Sequence, residues 1–192
     1  MGVDSLKIIC WFVGTFGNTY NLSTVIDAAR QLNKQGIDNV QFVLCSNGEN
    51  YSKWFKQAEG LNNVVFTSWV DFSQIAYLMG ITDIGIAAYA ERAPQELPIF
   101  EYLCTGVPVL SNLKGETEAL LSSNGCGLTY NAVDAEDFLE KLFILINNKD
   151  LRKKMSSNSA SLFRNCFSTD EVYTRMVNFL KELAQSYVAD FK

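Results

Sequence analysis

Six short apolar runs, most followed by a helical pattern, constrain this 192-residue chain more than any other feature. Leu6–Val13 reads as a continuous apolar strand closed by Gly14, the pattern of a strand covered on both faces. Val40–Cys45, Val64–Thr67, Ile84–Ala88 and Val107–Leu110 repeat it, and Gly127–Tyr130 reads as a last strand at the sheet's edge. Between the first two runs, Val25, Ile26, Ala29 and Leu32 share one helical face in Leu22–Leu32, and Gly36 stops the helix. Tyr51–Glu59 and Ser73–Met79 are the next expected helices. Repeated β-α units predict a Rossmann-like α/β fold: a parallel sheet, helices on both faces and right-handed crossovers. From Ala135 the chain turns helical, with Phe138, Leu139, Leu142, Phe143 and Ile146 on one face, then Leu151–Asn165 and Thr169–Tyr187. No repeat or linker interrupts it, so a single domain over residues 1–192 is expected.

The segment Leu97–Ser111 carries most of the functional information. Two of the three prolines, Pro98 and Pro108, bracket one short helical run. Proline fits a first helical turn, where its missing N–H would be unpaired anyway. Pro98 is therefore expected to start a helix, Thr105-Gly106 to end it, and Val107–Leu110 to continue as a strand. Glu101 then stands on the first turn, beside the crevice that opens beyond the carboxyl ends of strands in such sheets. Taken alone, a first-turn glutamate is equally a solvated acid that complements the helix dipole.

This run resembles a segment of the retaining glycosyltransferases of two-domain GT-B architecture, which reads roughly L-P-x-x-E-A-x-A-x-G-x-P-V-V. Leu97-Pro98, Glu101, Gly106 and Pro108-Val109 fall on it without a gap. The resemblance extends over roughly Leu6 to Tyr187. Phe12–Gly17 is similar to the family's first strand and glycine turn, Leu44–Gly48 to its second-strand turn, and Val65–Val70 to its third. Asn112–Glu118 is similar to the loop after the fifth strand. The resemblance implies the C-terminal, donor-binding half of such an enzyme, lacking an N-terminal half that would bind the acceptor. It implies that Glu101 holds the ribose hydroxyls of a nucleoside-diphosphate sugar, a job suited to a carboxylate that accepts two hydrogen bonds. It further implies metal-independent hexosyl transfer to a polysaccharide or lipid acceptor, the departing phosphate taking the acceptor's proton. The last helix, about 169–187, is expected to pack on the absent domain. An exposed stripe on Val172, Met176, Phe179 and Leu183 would mark it. The rival reading is a non-catalytic sugar-nucleotide-binding module of the same fold.

The remaining donor-site candidates are Gly14, Thr15, Phe16, Gly17, Asn18, Asn47, Gly48, Val70, Leu97 and Pro98. Gly14 and Gly17 suit either a tight turn or close backbone approach to a diphosphate. Val70 fits either the wall of a base site or ordinary core. Asn18 and Asn47 could reach a ligand or bond their own turns. No catalytic residue can be named. Four positions depart from the resembled pattern. Its first-loop Arg and Lys fall on Thr15 and Tyr20, its first glutamate on Ala93, and a glycine on Glu96. Arg92 and Lys114 are candidates to replace the lost positive charge, and Glu91 to replace the lost glutamate. Glu118 reads as a structural brace.

The chain contains no histidine, which excludes Ser-His-Asp and Cys-His nucleophiles and histidine-ligated zinc. Net charge −5 argues against a nucleic-acid partner. No apolar run approaches the roughly 18 residues that span a bilayer, so no transmembrane segment is expected. The five scattered cysteines read as small buried side chains of a reduced protein. The expectation is a cytoplasmic protein, or one peripheral to the inner face of a membrane. It would need no cofactor besides its nucleotide-sugar substrate, and its partners would be an acceptor glycan or glycolipid and the missing domain or a partner chain.

Overall fold

The computed structural model describes residues 2–90 and 99–189. Its centre is one six-stranded parallel sheet in the order β3-β2-β1-β4-β5-β6. The strands are β1 (Ile8–Val13), β2 (Val40–Cys45), β3 (Val64–Thr67), β4 (Ile84–Ala87), β5 (Val109–Ser111) and β6 (Gly127–Thr129). β1 and β2 pair along their full length, from Ile8 opposite Val40 to Val13 opposite Cys45. The strand order reverses between β1 and β4, and this switch point is where open α/β sheets bind ligands.

Every side chain in the interior of β1 is buried because the sheet is covered on both faces. Cys10 and Phe12 join Phe42, Leu44, Ile84 and Ile86 under α1 (Ser23–Lys34) and α6 (Ala135–Asn147). Ile9 and Trp11, one residue out of phase, point the other way and pack with Val43, Ala87, Tyr102 and Leu103. The helices beyond that face are α4 (Ile99–Cys104), α5 (Glu116–Asn124) and α7 (Lys149–Leu162). α2 (Tyr51–Gln57) and α3 (Phe72–Ile81) follow β2 and β3. A π-helical turn over Phe163–Phe167 leads into α8 (Thr169–Ala189).

Four expectations need correction. The first strand begins at Ile8 and not at Leu6. Asp4 turns the chain by accepting from Lys7 N–H with its carbonyl and from Leu6 N–H with its carboxylate, and Leu6 stays outside. The loop expected over Asn112–Glu118 ends earlier, in the unanticipated helix α5. That helix buries only Thr117 and Leu121, so it has no apolar period to read; Gly115 (φ +71°) and Gly125 (φ +58°) mark its ends. β5 starts two residues later than expected, because Val107 N–H still returns to Tyr102 C=O to close α4 behind Gly106 at φ +71°. The helix expected over Leu151–Asn165 stops at Leu162, where the π turn begins.

Not every cysteine is core: Cys10, Cys45 and Cys126 are buried, Cys104 is exposed and Cys166 half-buried. Val172, Met176, Phe179 and Leu183 form an exposed row on α8. Among the described residues no helix is long and apolar enough to cross a membrane.

Candidate functional site

The loops at the carboxyl ends of β1, β2 and β3 enclose a narrow crevice of about 100 Å³ lined by Val13, Gly14, Thr15, Cys45, Ser46, Ser68, Trp69, Val70 and Ile75. Ile75 also lines a second, larger cavity of about 750 Å³ between α3 and α4. Its other walls are mostly apolar, including Phe72, Ala76, Met79 and Phe100, with Glu101 and Thr105 among them. The two spaces thus meet at one side chain, with the glycine turn on one side and the Glu101 carboxylate on the other.

Glu101 is exposed on α4, and among the described residues its carboxylate has no hydrogen-bond or ion-pair partner. α4 is anchored by its neighbour. The Tyr102 ring is buried edge-to-face on Trp11, with centroids 5.8 Å apart. Its hydroxyl lies 3.1 Å from Trp11 C=O in β1 and 3.2 Å from Ile86 C=O in β4. The phenol therefore bridges the two strands of the switch point, and burial raises its pKa well above the ordinary tyrosine value. Gly85 leaves room for this ring: a Cβ there would come within 2.6 Å of Tyr102 Cγ. Nothing in the local sequence around Gly85 or Tyr102 indicates this pairing.

The first loop is latched to the second. Gly14 N–H donates to Cys45 C=O, Phe16 N–H to Asn47 C=O and Ser46 Oγ, and Asn50 N–H to Phe16 C=O. Gly17 N–H bonds Thr15 C=O. The Gly14 and Gly17 amides are thus engaged within the protein, and Gly14 and Gly48 matter sterically. A Cβ on Gly14 would lie 2.8 Å from the Tyr20 ring; one on Gly48 (φ +146°) would lie 2.8 Å from Phe16 C=O. Thr15 is exposed at the crevice, and Asn18 is exposed outside its lining. Phe16 is fully buried, its ring stacked on Phe12, so its side chain offers no surface to a ligand. Asn47 uses its side-chain oxygen on Gly48 N–H. Val70 is half-buried, a wall of the crevice that also packs against the core.

Among the described residues no cation lines the crevice. Tyr20, where the resembled family has Lys, packs on Phe12 and Tyr89 with both centroid distances 5.1 Å. Main-chain bonds from Asn21 N–H to Ala88 C=O and from Ala90 N–H to Thr19 C=O tie this loop across the switch point. Asn112 holds the Tyr89 end, its side chain bonding both Tyr89 N–H and C=O at 2.8 Å. Lys114 is paired with Glu118 at 3.1 Å, and Glu118 also accepts from Thr129 Oγ1 at 3.0 Å. Lys114 and then Thr129 hold the Glu118 carboxyl below its ordinary range, consistent with the expected brace. Leu97, Pro98, Glu91, Arg92, Ala93 and Glu96 lie outside the described residues. Trp69, in the Ser68–Asp71 loop expected to flank the base, lines the crevice and is 72% exposed.

Solved structures share this fold. WaaG, a glycosyltransferase involved in lipopolysaccharide biosynthesis, superimposes with TM-score 0.70 at 21% identity, over 84% of this chain and 44% of that one. The C-terminal domain of the group 1 glycosyl transferase LpcC from Francisella tularensis gives TM-score 0.70 at 17% identity, covering 84% of this chain and 87% of its own. Anabaena HepE, solved with UDP-glucose, gives TM-score 0.78 at 17% identity, over 92% of this chain and 49% of that one. The chain thus spans less than half the length of WaaG and HepE. No curated protein matches it. The sheet order and the helices around it are those of a GT-B C-terminal domain. The model of the glycosyl transferases group 1 family matches residues 2–162, most of the chain with all six strands and α4, and the chain belongs to that family.

Proposed function

We propose that this chain is the donor-binding domain of a retaining, metal-independent hexosyltransferase. In the reaction, the bond between the anomeric carbon and the β-phosphate of a nucleoside-diphosphate sugar breaks. An acceptor hydroxyl bonds the same face of that carbon, and its proton passes to the departing phosphate. Glu101 grips the ribose diol, Thr15 and Asn18 of the Gly14–Asn18 turn face the diphosphate, and Ser68 to Asp71 flank the base. The acceptor is a glycan or glycolipid, held by an N-terminal domain or partner chain, with the protein in the cytoplasm or peripheral to the inner membrane face. The observation that carries the reading is the Glu101 carboxylate, unpaired among the described residues and held beside the switch point by the Tyr102 anchor. Binding of UDP-glucose by a structural neighbour supports the ligand class.

One observation favours a non-catalytic module instead. Tyr20, where the resembled family carries a Lys, packs over Gly14 instead of offering a cation to a diphosphate. Calorimetric titration with UDP, GDP and ADP tests the site, wild type against Glu101→Ala. Saturable binding that weakens in the variant supports the donor site; binding of none refutes it. Hexosyl transfer by the full-length protein separates enzyme from module.

A further inference from the structure

We infer that the groove between α3 and α4 is a second binding site, for the hydrocarbon tail of a lipid-linked acceptor; the inference rests on the donor-site reading above. α3 carries no charged residue from Phe72 to Ile81, yet only Leu78 in it is fully buried. A largely apolar helix normally lies in a core, whereas a surface helix turns a charged face to solvent. Here Phe72 is 85% exposed and Tyr77 is 53% exposed. The nearest charge upstream, Asp71, is engaged in a reciprocal capping box at the start of the helix. Its carboxylate accepts from Gln74 N–H at 2.9 Å and from Ser73 Oγ at 2.6 Å, while Asp71 N–H donates to Gln74 Oε1 at 2.9 Å. The Ser73 hydroxyl first, then the Gln74 amide, keep that carboxylate below its ordinary range.

Phe72, Ile75, Ala76, Met79 and Gly80 recur at helical spacing and form one wall of the cavity of about 750 Å³. α4 and the π turn supply the facing wall with Phe100, Cys104 and Phe163. Among the described residues that line it, Glu101 carries the only charge. In parallel β-α units each helix runs back against its strand, so α3 and α4 both begin at the carboxyl edge of the sheet. The groove therefore leads away from the donor crevice, which it meets at Ile75, along about 12 Å of α3 from Phe72 to Gly80.

This shape selects its occupant. The volume and the apolar lining are those of a small-molecule pocket, roughly 300–1,000 Å³. An α-helix with its side chains is about 10–12 Å across and displaces about 900–1,400 Å³ over that length, so a partner helix could only lie across the mouth. An extended hydrocarbon chain fits inside and pairs apolar surface with apolar surface. Because Glu101 and Ile75 border the donor site, a chain seated here carries its headgroup at the donor end. The acceptor is then an amphiphile. Its hydroxyl-bearing head meets the sugar donor at the N-terminal domain or partner chain, and its tail lies between α3 and α4.

Calorimetry on the full chain with hexyl, octyl, decyl and dodecyl β-glucosides, each below its micelle concentration, tests this. Affinity should rise about fourfold per buried methylene and level off once the chain spans the groove. Ala76 is exposed in the middle of the α3 stripe, so Ala76→Trp and Ala76→Glu should fold normally. Both should weaken dodecyl glucoside binding by about tenfold or more, the equivalent of two methylenes, and leave UDP affinity unchanged. Tyr77→Ala, off the stripe, should change neither. Saturating UDP should leave the dodecyl affinity intact, since donor and acceptor have to be held together; displacement of the alkyl chain by UDP overturns the acceptor assignment. Affinity independent of chain length, or unchanged in both Ala76 variants, overturns the groove and leaves the donor site standing. Self-association abolished by Ala76→Glu, without chain-length dependence, overturns it in favour of a contact between copies. Chain-length dependence with no binding of UDP, GDP or ADP overturns the donor site and the acceptor assignment with it.

Discussion

Gly85→Ala tests the packing that positions Glu101. The new Cβ would lie 2.6, 2.7 and 2.8 Å from Cγ, Cδ1 and Cδ2 of Tyr102, where carbon atoms normally settle at about 3.5–4.0 Å. These atoms are at the root of the ring, so the side chain cannot swing its tip aside. Tyr102 is fully buried, and α4 or β4 has to move by about 1 Å, the difference between those separations. Overpacking of this kind costs about 1–3 kcal/mol. The same shift pulls the phenol from Trp11 C=O and Ile86 C=O; one proton serves both, so the hydrogen-bond loss is about 1 kcal/mol. The sum, about 3 kcal/mol, lowers Tm by roughly 6–12 °C in a domain of this size. Gly80→Ala is the control, since a Cβ there meets nothing within 4 Å and the residue is helical. It should stabilise by about 0.5–1 kcal/mol. Thermal unfolding followed by circular dichroism reads both. A Gly85→Ala variant melting within about 2 °C of wild type, less than 1 kcal/mol, would show that the ring has freedom the packing denies. Nucleotide affinity should fall with stability in Gly85→Ala, because Glu101 adjoins Tyr102 in α4.

Other outcomes follow from the same geometry. Tyr102→Phe keeps the ring and removes only its hydroxyl, so chemical denaturation should show a loss of about 1 kcal/mol. An unchanged midpoint would mean the two carbonyls find other donors. Aromatic-disulfide titration of the native protein should modify Cys104 quickly and Cys166 slowly; Cys10, Cys45 and Cys126, whose thiol pKa values burial raises, should react only after unfolding. Five equivalents consumed rapidly without denaturant would contradict the assigned burial. The Asp71 cap sets a pH dependence for α3. Its folded-state pKa is lowered, so its contribution is complete above the usual carboxylate pKa and lost as pH falls through the lowered value. Amide exchange of Gln74 should accelerate, relative to intrinsic rates, in that acid window and not in Asp71→Asn, which lacks the titration. Phe179→Lys on the exposed α8 row should change domain stability by no more than about 0.5 kcal/mol in urea; a larger loss would place that face against the domain.

Residues within one element were legible because their periodicity records burial. β1 is apolar at successive positions since both sheet faces are covered, and Val25, Ile26, Ala29 and Leu32 mark the inner side of α1. The α8 row was readable for the same reason. Where the period is absent the reading failed: α5 buries two residues and passed for a loop. Glu101 was found because its flanking pattern is contiguous. By itself, then, the sequence determined the succession of the six strands along the chain, the doubly covered sheet and the family-like register around Glu101.

Tertiary structure alone decided which loops meet and what each small residue is for. Gly14 and Gly17 suit a tight turn or an anion cradle by sequence; in the fold their amides are engaged internally and Gly14 makes room for Tyr20, six residues on. Phe16 sits in a turn by sequence and in the core by packing with Phe12. Gly85 and Tyr102, or Asn112 and Tyr89, come together only when separate β-α units close on one sheet. Trp69 differs from Trp11 through exposure alone, which the identity of the residue does not record. Local periodicity reports whether a position is covered; the partner that covers it depends on strand order, which no short stretch of chain encodes.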